Sequence, residues 1–146
     1  MPGTIRLYRP DPASAQQSVR CGRATFELHR RTPTRVEITV AGDVDAVNGR
    51  ALGGYAERHT GTSQQLILNL QAVDFFGSQG FTALYYISVH CTRSDVDWMI
   101  LAGPPVRRLL AICDPGNELP VAADIDTANA RLDQLARYRY RSMSVG

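Results

Sequence analysis

The chain has no lysine: all 16 of its basic residues are arginine. Genome composition accounts for most of that bias. Its physical consequence is that every cationic side chain ends in a planar fork of donors, not a compact ammonium. Cysteine is scarce, with three in 146 residues. An odd, widely spaced set excludes a disulfide framework and a paired-cysteine metal motif. No apolar run approaches the ~20 residues that span a bilayer. The opening Met-Pro-Gly-Thr-Ile-Arg-Leu-Tyr-Arg-Pro lacks an apolar signal core, so a cytoplasmic protein with no membrane association is expected. A net charge of only +2 gives no bulk attraction to nucleic acid. There is no P-loop, no Gly-x-Gly-x-x-Gly and no defensible Ser-His-Asp set. His29, His59 and His90 are scattered without ligand spacing. No catalytic residue, cofactor or metal site is therefore assigned.

What is present is organised around one stretch. Leu66–Leu70 is a short apolar run, the mark of a buried strand. Val73, Phe75 and Phe76 carry the apolar surface into a loop, and Gly77-Ser78-Gln79-Gly80 punctuates the chain. Phe81, Leu84, Tyr85 and Val89 then recur at near-helical spacing. Ser78 reads as the N-cap of that helix, its hydroxyl accepting from a first-turn amide. A serine is thus displayed where a strand hands over to a helix.

Residues 1–22 read as a loose arm, with a weak strand signal at Thr4–Tyr8. Ala24–Arg30 and Arg35–Ala41 form a hairpin, since Val36, Ile38 and Val40 alternate with Glu37 and Thr39. Gly42-Asp43-Val44-Asp45 follows, and Asp45 reads as the N-cap of a helix over 46–59. Gly49, Gly53 and Gly54 each cost that helix up to about 1 kcal/mol against Ala, so packing must hold it. Val96–Ala102 is a strand stopped by Gly103-Pro104-Pro105. Val106, Leu109, Leu110 and Cys113 mark a short amphipathic helix, and Leu119–Ala122 an edge strand. Asp126 caps a last helix, and the arginine-rich residues 137–146 are expected to fray. The order ββαβαβαβα demands right-handed parallel crossovers after the hairpin. The expected class is α/β, a single domain over 23–138 between the arm and a tail at 139–146.

The stretch from Leu66 to Leu84 resembles the signature of STAS domains, the family of sulfate-transporter C-terminal domains and bacterial anti-sigma factor antagonists. Leu66–Leu70, Val73, Phe75, Phe76, Ser78, Gly80, Phe81 and Leu84 fit it. Asn69 and Gly77 depart, each standing where the family often carries Asp. Gly42-Asp43-Val44-Asp45 matches a second family segment in the expected order. The resemblance covers about residues 24–138. It implies a mixed sheet with helices mostly on one face, and a non-enzymatic anti-sigma factor antagonist. Its partner would be an anti-sigma factor, often an ATP-dependent serine kinase, and Ser78 would be the phosphorylation site. The docking surface would comprise Asp43, Asp45, Phe76, Gly77, Ser78, Gln79 and Gly80. Two alternatives stay open: a sensory module binding a nucleotide or small ligand, and a redox-controlled interaction protein using Cys91 and Cys113. Assembly into a homodimer is also left open.

Overall fold

The computed structural model describes residues 18–61 and 63–145, with side chains through Arg141. The weak strand signal at Thr4–Tyr8 lies outside them. Six strands form one sheet in sequence order: β1 (Ser18–Cys21), β2 (Ala24–Thr32), β3 (Arg35–Val44), β4 (Gln65–Phe76), β5 (Asp97–Ala102) and β6 (Val121–Ala122). The first three are antiparallel, and β3 to β6 are parallel. Helices α1 (Gly49–His59), α2 (Ser78–Ser94) and α3 (Pro104–Cys113) are the crossovers, and α4 (Ile125–Val145) ends the described chain.

The mixed α/β architecture is the expected one, and it differs from the expectation in its details. β1 lies inside the stretch read as a loose arm and pairs with β2. α1 starts at Gly49, three residues later than expected. Asp124, not Asp126, bonds the first turn of α4: its carboxylate accepts from the Thr127 amide at 2.7 Å. The helix α4 continues through the arginine-rich stretch to Val145. What carries it on is Arg139, whose guanidinium pairs with Asp95 and with Asp97, the latter at 2.9 Å.

Two apolar layers sandwich the sheet. Leu66, Leu68 and Leu70 of β4 meet Leu52 and Tyr55 of α1, Leu84 and Ile87 of α2, and Val106 of α3 in the larger core. Ile67, Met99 and Leu101 point the other way, onto Ala128 and Leu132 of α4. Three helices thus cover one face and one covers part of the other, which explains why β4 reads as a continuous apolar run. The α4 layer is fixed by polar contacts at its edge. Arg35 donates to Gln65 at 2.9 Å, Asn129 at 3.0 Å and Asp133 at 2.7 Å, and Gln65 donates to the Leu132 carbonyl at 2.7 Å.

β4 runs six residues beyond the expected strand. Its register against β3 shifts twice, between Thr39 and Ala41 and between Gly42 and Asp43. Each shift adds one residue to β4, the signature of a bulge. The bulges break the period-two alternation, so this part of the strand does not look like one in sequence. They also re-aim its side chains: Val73 and Phe76 are buried while Phe75 turns outward.

Asn69 sits at the first bulge. Its Oδ1 accepts from the Gln71 amide at 3.0 Å, and its Nδ2 donates to Glu37 at 3.0 Å. Glu37 is buried and also accepts from Arg31. An aspartate at position 69 could accept from Gln71 but would face Glu37 with a second carboxylate. The amide is therefore the residue that fits this glutamate. Asn69→Asp should destabilise the fold by about 1–3 kcal/mol at neutral pH. The repulsion raises the carboxylate pKa in the folded state, so the deficit should shrink as pH falls and one carboxyl protonates. Urea denaturation of both forms at neutral and mildly acidic pH measures it.

Candidate functional site

The site lies where the carboxyl ends of β3 and β4 meet the first turns of α1 and α2. Parallel pairing sets Asp43 beside Phe75 and Val44 beside Phe76. The Gly77 amide then donates to the Val44 carbonyl at 2.9 Å. The two sequence-predicted segments, 43–45 and 76–80, are thereby joined along one rim.

One side chain outside those segments locks the rim. Asn48 is fully buried. Its Nδ2 donates to the carbonyls of Cys21 at 3.0 Å and Asp43 at 2.9 Å, and its Oδ1 accepts from the Asp45 amide at 2.9 Å. The end of β1, the end of β3 and the start of α1 are held by one amide group. Asn48 is also the N-cap of α1, yet it gives the helix no side-chain cap bond, because its side chain is committed to the turn. Asp45 is not the cap that its type suggests. Its carboxylate accepts from the Val47 amide at 2.9 Å and orders the turn. Asn48-Gly49 stands out in the sequence only as a dipeptide suited to a turn, which hides its role.

Two glycines set the closeness of the packing. A Cβ at Gly49 would come within 2.9 Å of the Gln79 carbonyl oxygen, so α1 meets the first turn of α2 backbone to backbone. A Cβ at Gly80 would come within 2.6 Å of the Phe76 ring. Phe76 and Gly80 are buried, so they form the base beneath the loop and do not belong to its surface.

The surface itself is Ser78 and Gln79, both exposed, with Asp43 and Asp45 half-buried beside them. Ser78 is the first residue of α2 and not its cap; Gly77 takes that place with φ −90° and ψ −177°. That is ordinary extended backbone, so glycine is not there for an unusual dihedral. The Phe75 ring lies over it instead, 3.2 Å from where a Cβ would stand. A larger residue at 77 would have to displace that ring. α2 has neither a side-chain cap nor an acidic residue in its first turn. Its positive end is left to solvent or to an anion. Phe75, Tyr85 and Tyr86 are 54%, 57% and 63% exposed, three large aromatics on the loop and the following helix. Of these, the sequence pattern placed Tyr85 on the apolar side, whereas the helix turns it outward.

Cys91 and Cys113 are both free thiols. Cys91 is 1% exposed in the main core, and burial, aided by the nearby Asp97 charge, pushes its thiol up to about 12. Burial thus disfavours the thiolate that thiol redox chemistry uses. Among the described residues there is no cluster of three or more metal-ligating side chains, and no helix long and apolar enough to cross a membrane.

A family model, the STAS domain, matches residues 26–128. Osmosensory protein A of Mycobacterium tuberculosis is 25% identical over an alignment of 95 residues, and the match covers 62% of this chain and 60% of that protein. The match thus spans less than two thirds of that relative. Among solved structures, an anti-sigma factor antagonist from Mycobacterium paratuberculosis superposes with a TM-score of 0.62 at 20% identity, covering 74% of this chain and 92% of the other. The anti-sigma factor antagonist SpoIIAA in its unphosphorylated form gives 0.59 at 18% identity, with 76% and 96% covered. At these identities the likeness is one of fold.

The Asn48 network makes a direct prediction. Asn48→Ala should cost about 1–3 kcal/mol, because a buried amide is lost and three part-buried backbone groups lose their partner. Hydrogen exchange should show early opening at Asp43–Asp45 while the amides of β5 remain protected.

Proposed function

The chain belongs to the STAS domain family, and on that footing we propose that it is an anti-sigma factor antagonist acting by binding and not by catalysis. The observation that carries this reading is the exposed Ser78 at an uncapped helix start, on a rim with Asp43 and Asp45, with the exposed Phe75 ring beside Gly77. Tyr85 and Tyr86 are exposed two turns further along α2, and exposed aromatics near a small polar centre suit a docking surface. The fold of SpoIIAA and of the mycobacterial antagonist supports the same assignment. The partner is an anti-sigma factor, met in the cytoplasm and, in the reading advanced here, an ATP-dependent serine kinase. Binding it frees a sigma factor for RNA polymerase.

Ser78 is the proposed switch. A phosphate there adds about −1.5 to −2 charge. The free first-turn amides and the helix dipole accommodate that charge, so the fold survives. A partner seated over Phe75 and Tyr85 would have to desolvate the dianion and would be displaced. Gly77 leaves the serine without the family's adjacent acid, so Asp43 or Asp74 would have to assist any kinase.

Ser78→Glu should leave the melting temperature within about 2 °C of the parent, since surface changes stay within roughly 0.5 kcal/mol. It should weaken capture of the cognate anti-sigma factor at least tenfold, whereas Ser78→Ala should bind like the parent. Pull-down followed by calorimetry against the anti-sigma factors of the source organism reads this. Equal affinity of all three forms would remove the switch, and no capture by any form would remove the assignment.

A further inference from the structure

A groove of about 760 Å³ lies between α1 and α2, beside the docking rim. Gly49 meets Gln79 at one end of the helix pair, and Thr60 meets His90 at the other, where Thr60 Oγ1 and His90 Nε2 lie 2.8 Å apart. The two helices therefore run parallel, with both N-termini at the same end. From Gly49 to Thr60 the groove extends roughly 16 Å at the helical rise.

Its charges are of one predominant sign. Arg50 stands at the end where both helices begin, and Arg93 at the far end. Neither has an ion-pair partner among the described residues, unlike Arg23, Arg31, Arg35 and Arg139. Glu57 is the one acid on the wall, and it lies 3.7 Å from His90 Nδ1. Two helix N-termini add their positive ends to that of Arg50. Tyr86 offers an exposed ring along one side.

The floor is open where packing does not require it to be. A Cβ at Gly53 would meet no atom within 4 Å, and one at Gly54 only the tip of Arg58 at 3.8 Å. Neither glycine has a positive φ. Both weaken the helix against alanine without serving contact or conformation inside the domain. What they leave is room beside Tyr86.

We propose that this groove binds a small organic anion, a carboxylate or phosphate carried on a flat apolar body. The anionic group sits at the Arg50 end, within reach of the helix N-termini. The flat body lies over Gly53 against Tyr86. The size falls within the range of small-molecule sites. This site borders the Ser78 rim and shares Gln79, Tyr86 and the α2 N-terminus with it, but its test needs neither a partner protein nor phosphorylation.

The test is an amide NMR titration of the whole chain with phenyl phosphate, benzoate and, as a cationic control, benzylamine. Both anions should shift the Gly53, Gly54 and Thr82 amides with a Kd of about 1 mM, in the range open to a fragment of this size. Benzylamine should not. Arg50→Gln should weaken binding about tenfold. Gly53→Leu should abolish it while raising the melting temperature by roughly 2–4 °C, since a better helix former enters an empty space. The ratio of the two anion affinities tells phosphate from carboxylate. The proposal is overturned if neither anion shifts these amides, if benzylamine shifts them equally, or if Gly53→Leu folds and binds as the parent does. Should Gly53→Leu fail to fold, unchanged binding by Arg50→Gln overturns it alone.

Discussion

The amide of Asn48 is the constraint on which the rest of the site depends. It is buried, and its three hydrogen bonds tie the end of β1 to the turn at Asp43–Asp45. Those backbone groups are part-buried, so leaving them unpaired is costly. By fixing the turn at Asp43–Asp45, Asn48 fixes the Val44 carbonyl. That carbonyl receives the Gly77 amide and so sets where α2 begins. The position of Ser78 is inherited from a side chain that the solvent never meets.

The two departures from the family's sequence pattern have local physical reasons. Asn69 stands where an aspartate is usual because Glu37 lies 3.0 Å from its nitrogen. Gly77 stands where an acid is usual, and the Phe75 ring lies 3.2 Å from where a Cβ would stand, so an acid there needs the ring to give by a few tenths of an ångström. In the first case an amide–carboxylate hydrogen bond stands where two carboxylates would repel. In the second, an apolar ring lies close beside the residue that precedes the serine. The second exchange makes the surface around Ser78 more aromatic and less acidic, which favours binding through desolvated contact over electrostatic steering.

Much of this was legible in the chain. Val36, Ile38 and Val40 showed the hairpin strand, Leu66–Leu70 the central strand, and Phe81 to Val89 the helix behind the serine. The joining of 43–45 to 76–80 follows from parallel pairing of those strands. What was hidden had a consistent cause: tertiary contacts that override local pattern. The bulges in β4 destroy the alternation that reveals strands. Asn48 bonds across the fold, so it does not cap the helix that its type and place suggest. Arg139 reaches Asp95 and Asp97 over more than forty residues, and a stretch that composition marks as frayed is helical because of it. Gly53 was read as a cost to be met by packing, whereas it faces open space.

The central claim is that a partner docks on the rim formed by Asp43–Asp45 and the start of α2. Hydrogen exchange of the whole chain, alone and bound to the proposed anti-sigma factor partner, tests it most directly. The account predicts new protection at Asp43–Asp45 and over Gly77 to Thr82, with exchange in α4 unchanged. Protection confined to α4 or to the β1–β2 edge, with the Ser78 segment exchanging as in the free protein, would contradict it.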